Sequence, residues 1–192
     1  MKNIIQPGAA VLFMKVGTHA QETLEHIIAR KTKEIEDAGY AMWGYGGNTC
    51  HPQTMVQPFA KSFEQRGQAI FLCMEEMVSN HFAQPVRADE YSPDDIDWCE
   101  IPSAINVLGS RYALMIKNLR HEEMELPLAR TRVAVGNNIG KAGDRYISGR
   151  VDKACLEMVG NAESLEPNEP CKHISLVAEL IAPYAVYLRN RR

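Results

Sequence analysis

The amino-acid sequence predicts an α+β fold, a small mixed or partly closed β-sheet with two or three flanking helices. Short apolar runs rich in strand formers recur along the 192-residue chain. Helical periodicity is confined to a few segments. The two patterns do not alternate strictly, and a doubly wound parallel sheet would need more crossover helices than the chain offers.

Ala9 to Val16 (Ala-Ala-Val-Leu-Phe-Met-Lys-Val) is the first strand, ended by Gly17. Thr18 then offers a helix N-cap, with Gln21 placed to complete a capping box. From Ala20 to Ala38, Leu24, Ile27, Ile28 and Ile35 recur at helical spacing; Lys31 interrupts that stripe, and Gly39 is a C-terminal stop. Tyr40 to Trp43 reads as a strand delivering a Gly-rich loop. A shorter helix follows over Gln53 to Gln65, with Pro58 counting against a continuous one. Gln68 to Met77 is strand-like, and Ser79 to Pro102 is an acidic, turn-rich excursion.

Arg111 to Leu119 and Thr131 to Val135 are further strands, joined through His121-Glu-Glu-Met-Glu-Leu126, which has the polar character of a linker or helical turn. Ala142 to Val159 carries Tyr146, Ile147, Val151, Cys155, Leu156 and Val159 at helical spacing and is predicted as a second amphipathic helix, weakened by Gly149. The chain thus divides into one α+β domain over 1–160, a linker over 161–173 containing Pro167 and Pro170, and an apolar C-terminal segment over 174–192. That last segment is suited to docking on the body, on a partner or on a second copy, so a homo-oligomer is expected through it.

Composition is that of an ordinary globular chain, 45% hydrophobic and 23% charged. A net charge of −3 supplies no global field to hold a polyanion, which excludes an extended nucleic-acid footprint and leaves room for one base or nucleotide in a local basic pocket. The five cysteines, at 50, 73, 99, 155 and 171, are an odd number and form no Cys-x-x-Cys pair, the usage of free thiols in a reducing compartment. The N-terminal apolar run is too short for a signal peptide and no stretch reaches the roughly 20 apolar residues of a membrane span. A cytoplasmic protein that does not engage membranes is expected.

The segment Tyr40-Ala-Met-Trp-Gly-Tyr-Gly-Gly-Asn-Thr-Cys-His-Pro52 concentrates the candidate chemistry. Glycines let a ligand approach the backbone, and Trp43 and Tyr45 offer flat faces for a ring, with Gly46, Gly47 and Asn48 beside them. The bland alternative is a tight turn with two core aromatics. Cys50 invites a thiolate reading, although adjacent His51 points to the opposite face in an extended segment, so His19, His81 or His121 would have to serve as its base. Glu75, at the end of an apolar strand, is a candidate carboxylate for a ligand's ring N–H or for catalysis.

Gly136-Asn-Asn-Ile-Gly-Lys141 sits between a strand and the expected second helix. It lacks the spacing and the following Ser or Thr of a Walker A loop. What remains is a glycine-rich turn with Lys141 and Arg145 near a helix start, a place for an anion or simply surface cations. Glu76, Asp94, Asp95 and Asp97 come without histidines at ligand spacing, so no metal site and no cofactor are expected.

Taken together, Val11-Leu-Phe-Met-Lys15, the strand over 68–77, the Asp-rich excursion ending in Trp98, and the strands over 111–119 and 132–135 resemble the layout of the PUA-like superfamily, nearest its EVE and ASCH branches. The resemblance covers residues 9–136 and rests on order and spacing. It implies a partly closed barrel whose pocket recognises a modified base or nucleotide-like ligand, with Trp43 and Tyr45 as walls and Trp98 as a third. The helix after the first strand, the Trp-Gly-Tyr-Gly-Gly sequence and the extension after residue 137 depart from that pattern.

Three functions stay open from the sequence. The first is a pocket protein for a nucleobase, nucleotide or related ligand, with Lys15, Lys141 and Arg145 meeting a phosphate. The second is a hydrolase or transferase on a nucleotide-like substrate using Cys50 or a histidine with Glu75. The third is an interaction protein acting through the C-terminal apolar segment.

Overall fold

The computed structural model describes residues 4–46, 51–79, 83–147, 151, 153–162 and 165–191. In chain order it forms β1 (Ala10–Val16), α1 (Leu24–Ala38), β2 (Ala41–Tyr45), α2 (Gln53–Gln65), β3 (Ile70–Glu76), β4 (Glu90–Ser92), β5 (Cys99–Glu100), β6 (Tyr112–Pro127), β7 (Thr131–Val133), α3 (Gly143–Tyr146), β8 (Lys153–Met158) and β9 (Cys171–Arg189).

Apolar residues of both parities fill β1, so it has two faces to cover and sits inside the sheet. Ala10, Leu12, Met14 and Val16 pack with α1 and α2 on one face, while Val11 and Phe13 join Leu126, Leu156 and Val177 on the other. The sheet order is β2-β6-β9-β3-β1-β8-β7, with β4 and β5 attached at the end of β9. β1 and β3 run parallel; the other pairs are antiparallel. A third apolar cluster joins Met42, Met115 and Val186 to Ile101, Ile105 and Val107 of the segment between β5 and β6.

The α+β class is therefore as the sequence predicts, with a correction of form. The sheet is large and mostly antiparallel, and its order runs open from β2 to β7 where a small partly closed barrel was expected. Helix α1 starts later than Thr18 implies: Thr23 is the cap, its side chain accepting from the His26 N–H at 3.4 Å. Gly39 does end it, at φ +82, donating to Ile35 O at 2.8 Å. Helix α2 runs through Pro58, whose ring lies on the exposed face, because Val56, Phe59, Ala60 and Phe63 are buried on the other.

Two larger corrections concern the second half. The expected helix over 142–159 is the four-residue α3 followed by strand β8, hydrogen-bonded between β1 and β7. Ala154, Leu156 and Met158 face one apolar cluster and Cys155 the other, and a run buried on both faces satisfies helical spacing as readily as strand alternation. The expected linker over 161–173 and docking segment over 174–192 likewise give way, from Cys171 on, to β9, which lies between β6 and β3. The apolar side chains offered to a partner are consumed inside the sheet, where Ile174, Leu176, Val177, Ala178 and Val186 are fully buried. Residues 121–126 belong to β6, whose partner across the ladder is β9.

Candidate functional site

The parallel pair β1 and β3 ends beside a narrow crossing. A Cβ on Gly17 would lie 2.5 Å from Met77 O and 2.9 Å from Ser79 Cβ, so the chain leaves β1 at this distance only as glycine. The following turn puts Ala20 and Gln21 at φ +49 and +66, in the left-handed region that non-glycine residues rarely occupy. On the edge strand β2, Trp43 and Tyr45 are two residues apart and so share the face turned toward α1. Gly46 ends the strand at φ +131, and a Cβ there would meet Tyr112 Cδ2 at 2.7 Å.

Between these ends lies a cavity of about 420 Å³, within the usual range of small-molecule sites. Its lining draws Met14, Lys15 and Val16 from β1, His19 from the turn, Ile27, Arg30 and Lys31 from α1, Trp43 to Tyr45 from β2 with Gly46 after it, Val107, Leu108 and Ser110 from the segment between β5 and β6, and Lys153 from β8. Trp43 and Tyr45 are only 4% and 2% exposed, so the ring area they present faces the cavity and the core rather than solvent.

The cavity's charge is one-sided. Lys15, Arg30, Lys31 and Lys153 line it, and among its described lining residues there is no Asp or Glu. Lys31 is buried, and its ammonium is satisfied by Glu34 Oε1 at 3.0 Å, Glu34 Oε2 at 2.9 Å and Asn106 O at 2.8 Å. Desolvation by burial nevertheless pulls its pKa down to about 8, against the attraction of Glu34. Arg30 is held by Glu22 and by Glu34 at 3.1 Å. Lys153 is placed differently: its Nζ lies 5.9 Å from the Tyr45 ring centroid, and it forms no ion pair among the described residues.

His19 Nε2 lies 3.1 Å from Leu108 O and 3.4 Å from Ser110 Oγ, while the Ser110 hydroxyl donates to the same carbonyl at 3.2 Å. With Leu108 O accepting from both, the pair fixes the wall of the cavity and does not form a base-to-nucleophile relay.

Of the residues the sequence singles out, the structure brings Lys15, Trp43, Tyr45 and Gly46 together here. Gly47, Asn48 and Cys50 lie outside the described residues, as does His81. His51 precedes α2 and does not line the cavity; its Nε2 is buried without a hydrogen-bond partner among the described residues, and burial pushes its pKa down. A neutral imidazole supplies no positive charge to a neighbouring thiolate. Glu75 is also elsewhere, paired with Lys172 at 3.1 Å, so it does not join a histidine in the cavity.

Trp98 lies just before β5, with the Arg189 guanidinium 3.9 Å from its ring centroid, and does not line the cavity. Lys141 and Arg145 are exposed on the segment between β7 and β8 and do not line the cavity; α3 is four residues long and gives no helix start for an anion. Cys171 and His173 are strand residues, and no group of three or more His, Cys, Asp or Glu among the described residues could hold a metal ion. The sequence names His19 only as a candidate base for Cys50, and it does not mark Arg30, Lys31, Ser110 or Lys153 as site residues. One signal was available: Lys31 interrupts the apolar stripe of α1, the mark of a charge turned inward.

No helix among the described residues is long and apolar enough to cross a membrane. Set against family models, curated protein sequences and solved structures, the chain matches none of them.

Proposed function

We propose that this protein binds a small anionic molecule carrying a flat ring, a nucleobase or nucleotide, in the cavity between β1, β2 and α1. One observation carries the reading: aromatic and cationic walls face the same 420 Å³ space, and its described lining contains no carboxylate. Trp43 and Tyr45 supply the stacking surface, an interaction worth roughly 1–3 kcal/mol per base. Lys153 and Lys15 stand for the phosphate, and Lys31 lends charge from the floor.

Titration with the common nucleosides and nucleotides, read by Trp fluorescence and thermal shift, tests this. A ligand at about 100 times its Kd adds about 2.7 kcal/mol to stability, an easily measured rise in Tm. Lys153→Glu is expected to weaken a nucleotide at least tenfold and a nucleoside far less. Trp43→Phe keeps an aromatic in the core and is expected to weaken both. A folded wild-type protein silent to the whole panel would overturn the proposal. Product in mass spectra of the same samples would convert it to an enzyme reading, with His19 as the histidine in reach of the ligand.

A further inference from the structure

We infer that the ligand is not a mononucleotide but a phosphodiester linking two nucleosides, held by the cavity and by a second, arginine-lined cleft that shares a wall with it; this rests on the proposed reading of the cavity. The wall is the 107–111 segment. Ser110 lines the cavity on one side and, with Gly109 and Arg111, a cleft of about 330 Å³ on the other. The cleft is closed by Arg87 and by Leu188 to Asn190 at the end of β9.

The arginines of this cleft are of two kinds. Arg189 is committed: Glu90 accepts from its Nε at 2.6 Å, and Trp98 stacks against it. Arg191, on the neighbouring surface, is paired with Glu90 and with Glu100 at 3.1 Å. Among the described residues the Arg87 side chain donates to Ile105 O, at 3.0 Å, Arg111 is exposed, and neither has a carboxylate partner. Two guanidinium groups without a described carboxylate partner line the same cleft beside Gly109, and they fit the non-bridging oxygens of a phosphodiester.

The strip is also fixed in place. Gly109 donates to Val86 O at 2.9 Å and sits at φ +59, and Leu188 donates to Arg111 O at 2.9 Å. A Cβ at Gly109 would lie 2.8 Å from Gln84 O and 3.0 Å from Ala83 Cβ, so glycine lets the neighbouring chain pack directly on the strip. The ring of the first nucleoside occupies the cavity, and the following phosphate passes Ser110, the residue that lines both spaces, to reach Arg87 and Arg111. A chain of −3 net charge carries no long basic track, which limits the bound stretch to a few nucleotides.

The test compares mononucleotides with linear dinucleotides, cyclic dinucleotides and a ten-nucleotide single strand on wild type, Arg111→Ala and Arg87→Lys. The wild type is expected to prefer a dinucleotide over the mononucleotide by about tenfold or more, and Arg111→Ala to reduce that ratio to near one. Arg87→Lys keeps the charge and the bond to Ile105 O within reach, and is expected to reduce the ratio less. Linear, cyclic and ten-nucleotide probes distinguish a signalling dinucleotide from the end of a strand. Equal affinity for one and two nucleotides, unmoved by Arg111→Ala, would overturn this inference and leave the cavity reading standing. Failure of every probe would overturn both.

Discussion

Lys31 is the residue whose ionisation reaches furthest. Burial lowers its pKa from 10.5 to about 8, so below pH 8 both folded and unfolded chains carry the proton and the folded state bears the full desolvation cost. Between about 8 and 10.5 the unfolded chain alone retains it, and folded stability rises with pH relative to a chain lacking the group. The slope is at most roughly 1.4 kcal/mol per pH unit. Urea unfolding of wild type against Lys31→Met, from pH 7 to 10, is expected to show the difference shifting in favour of wild type above pH 8. The same proton bears on binding: affinity for a phosphate-bearing ligand is expected to fall above pH 8 while affinity for the uncharged nucleoside stays flat. Parallel pH profiles for both ligands would count against a role for Lys31 in the cavity.

At the level of elements, β9 decides most. It pairs with β6 and β3 along its length, so a chain stopped at residue 170 is expected to lose cooperative unfolding altogether, monitored by circular dichroism and denaturant titration. A truncated chain that kept its core and changed only in oligomeric state would return the C-terminal segment to the docking role first read from its apolar character. Gly17→Ala probes the other end of the sheet: pressing a methyl against Met77 O is expected to cost about 1–3 kcal/mol and to reshape the cavity rim. The first half of the fold was legible because β1, α1, β2, α2 and β3 each carry their own punctuation, Gly17, Gly39 and the Gly-rich loop among them. The second half was not, since β8 and β9 are buried on two faces and a continuous apolar run gives no period to choose between helix and strand. The same reason splits the site. Trp43, Tyr45 and Gly46 announce themselves within one segment, whereas His19, Ser110 and Lys153 become neighbours only through pairing of strands far apart in sequence.

For the molecule as a whole, the thiols report on integrity. Cys73 and Cys155 are fully buried, and desolvation pushes both thiol pKa values up. The folded protein therefore holds two protons that the unfolded chain gives up above about pH 8.5, and stability is expected to fall as pH rises further. Among the four described thiols, alkylation at neutral pH should label Cys99 first and Cys171 slowly, because a hydrogen bond to Glu125 raises the Cys171 thiol to about 11, and should reach Cys73 and Cys155 only on global unfolding. Early modification of either buried thiol would mean that the two faces of the sheet open independently.

The place of β9 has a consequence in time. It follows every other strand in the chain and lies between two of them, so during synthesis β6 and β3 emerge with their facing edges unpaired and wait for a single late arrival. Unpaired edges of this kind invite association with other nascent chains. The ladder that commits the sheet closes last, and with it the cleft at the end of β9, so a ligand of the kind proposed would meet a complete cleft only on finished molecules.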